Sequence, residues 1–161
     1  MLSGLSSSSD LSVDQLLEKF SSGSSRQKRS LIPAVEKAAD QLAEMGAAAL
    51  APFDRGGDEW AAGWILQTLH RHQPSALSAL LGAAGGWFTA GSESDLDYSP
   101  LQQALLEERF EDADRLTSAF LRKLAGEQAE RRGYVYFSEV LPIGGLDLVT
   151  IDRLWIAYSQ G

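Results

Sequence analysis

The sequence predicts an all-α fold, with an N-terminal helical bundle of alpha-solenoid-like helix pairs over residues 1–90 and a small helical core domain over residues 97–161. Three observations predict it. Apolar residues recur three and four apart along almost every segment. Clusters of Gly, Pro and Ser cut the chain at residues 21–25, 52–58, 82–86 and 89–95. Helix start and stop signals sit beside those cuts.

In chain order, the opening MLSGLSSSSD lacks the basic and apolar regions of a leader and reads as a disordered lead-in. Leu11, Leu16, Leu17 and Phe20 then mark a short amphipathic helix with Ser12 as its cap. The run SSGSSRQKRS breaks the pattern. Its Arg26, Lys28 and Arg29 either touch an anionic surface or lie in a solvated loop and helix start. Pro33 sits near the start of a longer helix whose face carries Leu31, Val35, Ala38, Ala39, Leu42 and Met45, and Gly46 ends it. After the turn at residues 52–58, Asp58 or a neighbour begins a helix reaching about His72. Its Trp60 and Trp64, four apart, suit helix packing better than stacking on a flat ligand. A short helix from Ser75 to Leu81 follows, and the boundary falls around Ala90 to Leu96.

Beyond it, Ser99, Pro100 and Gln102 have the pattern of an N-cap, a first-turn proline and a capping box. Leu101, Ala104 and Leu105 line the buried face of that helix, and Phe110 closes it. Glu111 and Asp112 suit the positive end of a second helix striped by Ala113, Leu116, Phe120 and Leu124. Arg122 and Lys123 suit its negative end, and Gly126 its C′ position. EQAERRG reads as a connection, and Tyr134 to Phe137 is too short to classify. After Gly144-Gly145, Asp147 is the expected cap of a third helix carrying Leu148, Ile151, Leu154 or Trp155, and Tyr158 on one face to Gly161. A mobile loop is expected between the second and third helices.

Composition narrows the function. The 161 residues include no cysteine, which removes disulfides, thiolate metal sites and thioether-linked chromophores. The net charge of −8 gives none of the basic footprint that nucleic acid requires. No apolar run approaches the roughly 18 residues of a membrane span. His70 and His72, the only histidines, are two apart and do not share a helix face, so they do not form a metal pair. No nucleophile–base motif or phosphate-cradling loop is present. Binding, rather than catalysis, is the expected activity.

The C-terminal segment resembles the genomes-uncoupled-four family. Asp97-Tyr98, Leu101, Leu105, Phe110, Ala113-Asp114 and Thr117 carry the likeness, and above all DLVTIDRLWIAYSQG from Asp147 to Gly161 follows the family's D-L-x-T-I-D-x-L-W-x-x-Y-S-x-G. The resemblance implies a tetrapyrrole-binding core domain that takes protoporphyrin IX or Mg-protoporphyrin IX, with no intrinsic cofactor. It also implies a non-enzymatic, monomeric regulator that stimulates magnesium chelatase through its porphyrin-binding subunit. Such a protein is expected to be cytoplasmic, with peripheral association to photosynthetic membranes. A ligand-free helical interaction or signalling module is the alternative.

A porphyrin needs an apolar floor and cations at its carboxylate edge. Candidates for the floor are Leu101 and Leu105, Phe137 and Val140, and Ile151 or Trp155, with Arg131 and Arg132 toward the propionates; of these Phe137 and Val140 match positions that resemble the family's cleft wall. For Trp155, as for Leu101 and Ile151, mutual packing is the plainer reading. Solvated-loop roles serve Arg131 and Arg132 equally well. Ile143-Gly144 replaces the family's Phe-Pro, and Ser118 replaces a basic residue. The family pattern also continues past Gly161 into further helices, so half of the cleft is expected here. Covering about 300 Å² of porphyrin at about 25 cal/mol per Å² gives roughly 7 kcal/mol against an association cost of about 4 or more, so weak binding is expected.

Overall fold

A computed structural model describes residues 11–57 and 59–159. The serine-rich lead-in and Asp58 as a helix start lie outside them, and the last helix ends at Tyr158 rather than at Gly161. The described residues form helices with no strand among them, as the periodicity predicts.

Helix α1 (Val13–Ser22) opens on a capping box in which the Ser12 hydroxyl accepts the Gln15 N–H and the Gln15 side chain accepts the Ser12 N–H. Ser24 and Gln27 repeat the device for α2 (Ser25–Lys37), so the basic cluster expected near a loop is helical. Pro33 lies inside α2 rather than near a helix start. The long helix expected from Leu31 divides at Ala38, whose φ of −88° and ψ of 10° leave the helical range, and α3 (Ala39–Met45) follows. Gly46 at φ 58° ends α3 and leads into a 3₁₀ turn.

Helix α4 (Trp60–His72) is the centre of the molecule, and α5 (Pro74–Leu81) folds back beside it. Trp60, Ala61, Ala62, Ile65, Leu66 and Leu69 are all buried. Trp60 meets the edge of Phe20 at 5.9 Å, the helix-packing role expected of it.

In the C-terminal part, α6 (Ser99–Leu106) forms without the Ser99–Gln102 capping box. Asp97 accepts the Ser99 N–H at 3.0 Å instead. Gln102 is buried and donates to the Phe88 carbonyl at 2.9 Å. Gly86 makes room for that amide, since a Cβ there would lie 2.2 Å from Gln102 Oε1. Phe110 opens α7 (Phe110–Ala125) rather than closing α6, because Glu108 takes a φ of 60° and the Arg109 N–H turns back to Ala104 O at 2.8 Å. EQAERRG is not a plain connection but the short α8 (Glu127–Arg132), set off by Gly126 and Gly133 at φ 115° and 90°. A single turn, α9 (Phe137–Val140), precedes α10 (Gly145–Tyr158).

Asp147 is not the cap of α10, which begins two residues earlier behind Gly144. Its buried carboxylate turns back to the linker, accepting the Ser92 hydroxyl, the Glu93 N–H at 3.0 Å and the Tyr98 hydroxyl at 2.8 Å. One turn on, the Thr150 hydroxyl donates to Gly91 O at 2.7 Å. Burial pushes the Asp147 carboxyl up, but the donors from Ser92, Tyr98 and Glu93 outweigh it and hold the group below the ordinary carboxylate range.

Helices α4 and α10 cross at van der Waals distance. A Cβ on Gly63 would fall 1.8 Å from the Ala157 carbonyl oxygen. Beside this crossing, the buried Gln67 amide donates to Leu105 O at 3.2 Å and to Tyr158 O at 3.0 Å, which ties α4 to the ends of both α6 and α10. One apolar core therefore runs from Leu16 and Phe20 through α4 to Leu154 and Tyr158.

Gly63→Ala must push these helices apart, and the expected cost is about 1–3 kcal/mol in chemical denaturation. The depressed Asp147 carboxyl gives stability that is complete above the unfolded value near pH 4 and is lost as pH falls through the folded one. Asp147→Asn is expected to cost about 2–3 kcal/mol at neutral pH and to flatten the acid limb of a stability–pH curve.

Candidate functional site

The segment between α8 and α10 carries apolar side chains that stand exposed among the described residues. Phe137 and Leu141, four apart across the α9 turn, are 87% and 83% exposed, while Tyr134, Tyr136 and Val140 are about half exposed. These residues are held out by polar contacts. The Arg132 guanidinium lies 3.6 Å from the Tyr136 ring centroid and 4.8 Å from that of Tyr134. It donates to the Tyr134 carbonyl at 3.0 and 3.2 Å and pairs with Glu139. Glu139 in turn accepts the Tyr136 N–H at 2.7 Å. The two tyrosine rings meet edge to face at 5.4 Å, and their hydrogen bond raises the Tyr134 phenol above its usual value.

Next to this clasp is an open depression of about 270 Å³ between the C-terminal half of α7 and the turn after α8, lined by Ser118, Leu121, Arg122, Gly133, Tyr134 and Val135. Arg122 supplies a cation at its wall. Arg131 stands 82% exposed, with only a 3.9 Å contact to Glu127. The surface thus combines aromatic and aliphatic faces with guanidinium groups, which suits a flat apolar ligand bearing anionic edges.

The residues expected from sequence divide into two groups. Phe137 and Val140 lie on this segment, Arg132 at the end of α8 is tied to it through Tyr134, Tyr136 and Glu139, and Arg131 stands exposed on α8 beside its contact with Glu127. Arg132 is committed to the clasp, its side chain only 18% exposed, so it shapes the segment rather than standing at a rim. Leu105 is fully buried in the core and offers no surface to a ligand in this structure. Trp155 is partly buried in the seam between α7 and α10. It stacks on Phe110 at 6.4 Å, and its Nε1–H donates to the Thr117 hydroxyl at 2.8 Å. Sequence reasoning missed Tyr134, Tyr136, Leu141, Leu121 and Arg122 as surface residues. For Leu141 the signal was present, since it follows Phe137 by one helical turn.

The GUN4-like family profile matches residues 91–161. The chain is 39% identical over 103 residues to a Ycf53-like protein of Synechocystis sp., covering 63% of this chain and 44% of that protein. It is 44% identical over 64 residues to the chloroplastic tetrapyrrole-binding protein of Arabidopsis thaliana, covering 40% of this chain and 24% of that protein. An uncharacterized ycf53 protein of Porphyra purpurea is 41% identical over 70 residues, covering 44% and 29%. The chain therefore spans less than half the length of these relatives. Most of the matched segment is the linker clasped by Asp147, α6, α7, the exposed apolar segment and α10.

Replacing Arg132 with Ala removes the clasp while leaving the core intact. Amide exchange over residues 133–141 is expected to rise about tenfold or more, with the melting temperature lowered by no more than about 3 °C.

Proposed function

Residues 91–161 belong to the GUN4-like family, and from that premise we propose that the protein binds a tetrapyrrole on the surface formed by α7 and the segment 133–141. The observation that carries this reading is the exposed pair Phe137 and Leu141, on the same segment as Tyr134 and Val135 of an open depression whose wall includes Arg122, with Arg131 exposed at the end of α8. The macrocycle lies against the aromatic and aliphatic side chains, and the two guanidinium groups take its propionates. Protoporphyrin IX and Mg-protoporphyrin IX are the ligands of this reading.

The role follows from the same premise. The protein is a non-catalytic regulator that delivers porphyrin to the porphyrin-binding subunit of magnesium chelatase and raises its activity. The clasp favours this use, because a surface organised before the ligand arrives loses little conformational freedom on binding.

Protoporphyrin IX titrations followed by the Soret band and by protein fluorescence test the ligand claim. Phe137→Ser together with Leu141→Ser is expected to weaken binding about 10- to 100-fold, from the loss of a few kcal/mol of apolar contact. The melting temperature should be unaffected, since both side chains are outside the core. Unchanged affinity would remove this surface from the site, and an unshifted Soret band would leave a protein-interaction module. Magnesium chelatase turnover with and without the protein tests the regulatory claim separately.

A further inference from the structure

Helix α7 is buried most deeply near its start, and further along Phe120 lies against the Tyr98 ring at 4.8 Å and Thr117 accepts the Trp155 Nε1–H at 2.8 Å. Ala113 is its single fully buried residue, and the rest of its apolar stripe is partly covered. Its start is the turn Glu107–Arg109, where Glu108 takes the left-handed φ of 60° that non-glycine residues seldom adopt. Within the turn, the Arg109 N–H reaches Ala104 O at 2.8 Å and the Arg109 side chain pairs with Glu107 and Asp112; a further tie comes from the N-terminal part. Arg71, in the last turn of α4, ion-pairs with Glu108 through one guanidinium nitrogen and with Glu36 of α2 through the other. Its guanidinium is 5.2 Å from the Trp64 ring centroid, and a 3.4 Å contact joins it to Thr68. His70 stands 4.0 Å from Glu107, and His72 lies 2.9 Å from Glu36.

We infer that Arg71 is a positioning residue for the ligand surface: by holding Glu108 to Glu36 it sets the angle at which α7 leaves the turn. Three elements, α2, α4 and the α6–α7 turn, meet on one planar cation with two forks, which a lysine cannot reproduce. The lever is long. Arg122 is fourteen residues from Glu108, about 20 Å along a helix, so a tilt of about 10° moves the depression's wall by about 3–4 Å. Such a shift is enough to separate Leu121 and Arg122 from Tyr134 and Val135 across the depression. The N-terminal helices thereby act on the surface without touching it. This inference rests on the proposed tetrapyrrole site for its consequence, but not for the mechanical link itself.

The chain has no cysteine, so nitroxide labels can be placed cleanly at Ser75→Cys and Lys123→Cys, both exposed, one on α5 and one near the end of α7. Electron–electron distance measurements on the labelled full chain then report the angle of α7. Arg71→Gln and Glu108→Gln are each expected to shift or broaden the distance by about 3 Å or more. The double variant should be no worse than either single one, and Arg71→Lys should restore the distance in part. Circular dichroism melts identify any variant that loses the global fold, in which case Glu108→Gln and Arg71→Lys decide the question. Identical distance distributions in all folded variants overturn the inference. In parallel, the same variants should weaken protoporphyrin IX binding about 3- to 10-fold; moved distances with unchanged affinity overturn the positioning role. If the unaltered chain binds no porphyrin, the proposed function falls, while the distances still decide whether Arg71 sets α7.

Discussion

The crossing of α4 and α10 at Gly63 and Ala157 constrains the rest of the molecule, because the two backbones meet with no side chain between them. At that distance the interior amide of Gln67 can reach the carbonyls of Leu105 and Tyr158 at once. Those carbonyls belong to helix ends, and that of Leu105 also accepts the Glu108 N–H at 3.1 Å. A wider crossing would take the buried Gln67 amide away from its acceptors, so close packing and polar satisfaction depend on each other. Through this contact α10 takes a fixed place on the N-terminal helices, and α6 with it.

A second buried polar centre carries that order outward. Asp147 gathers Ser92, Glu93 and Tyr98 around one carboxylate, and Thr150 holds Gly91 one turn further along. A linker of small and polar residues has little apolar surface with which to dock itself. Hydrogen bonds to an ionised group, each stronger than a neutral one, supply what packing does not. Tyr98, once bonded to Asp147, presents its ring to Phe120 of α7 at 4.8 Å. Trp155 adds a second link through Thr117. Several positions of the D-L-x-T-I-D-x-L-W-x-x-Y pattern are therefore accounted for by architecture: Asp147, Thr150, Trp155 and Tyr158 each hold α10 against a neighbour, and none of them lines the exposed surface.

This separates what was legible in the sequence from what was not. Helical stripes and caps depend on neighbours three and four residues away, so α1, α4, α5 and the body of α7 could be read directly, as could the glycine stops at Gly46 and Gly126. The α6–α7 turn could not, because it contains neither glycine nor proline and is tied in part to Arg71 of another helix. Asp147 sits where a capping residue is expected, and only the distant Ser92 and Tyr98 show its other use. Leu105 illustrates the limit at the site: an apolar residue on a helix face reads identically whether a ligand or a neighbouring helix covers it. Phe137 and Val140 were separable because they lie on a segment that no long helical stripe covers.

That segment also poses an energetic question, since exposed Phe137 and Leu141 gain nothing from water and the fold does not use them. Apolar loops ordinarily collapse onto the nearest core, and here Arg132 opposes collapse. Its guanidinium is already shared between two tyrosine rings, a carbonyl and Glu139, so folding the segment inward would bury a charge away from those partners. The arrangement keeps greasy side chains at the surface by making their withdrawal more costly than their exposure. Charge acts in the same place. On a chain of net charge −8, anions are repelled at long range, but screening over about 8–10 Å lets nearby Arg122 and Arg131 dominate at the surface itself. An apolar ligand with anionic edges satisfies both conditions together, whereas a purely apolar one would leave the cations unused and a purely anionic one would leave Phe137 and Leu141 in water.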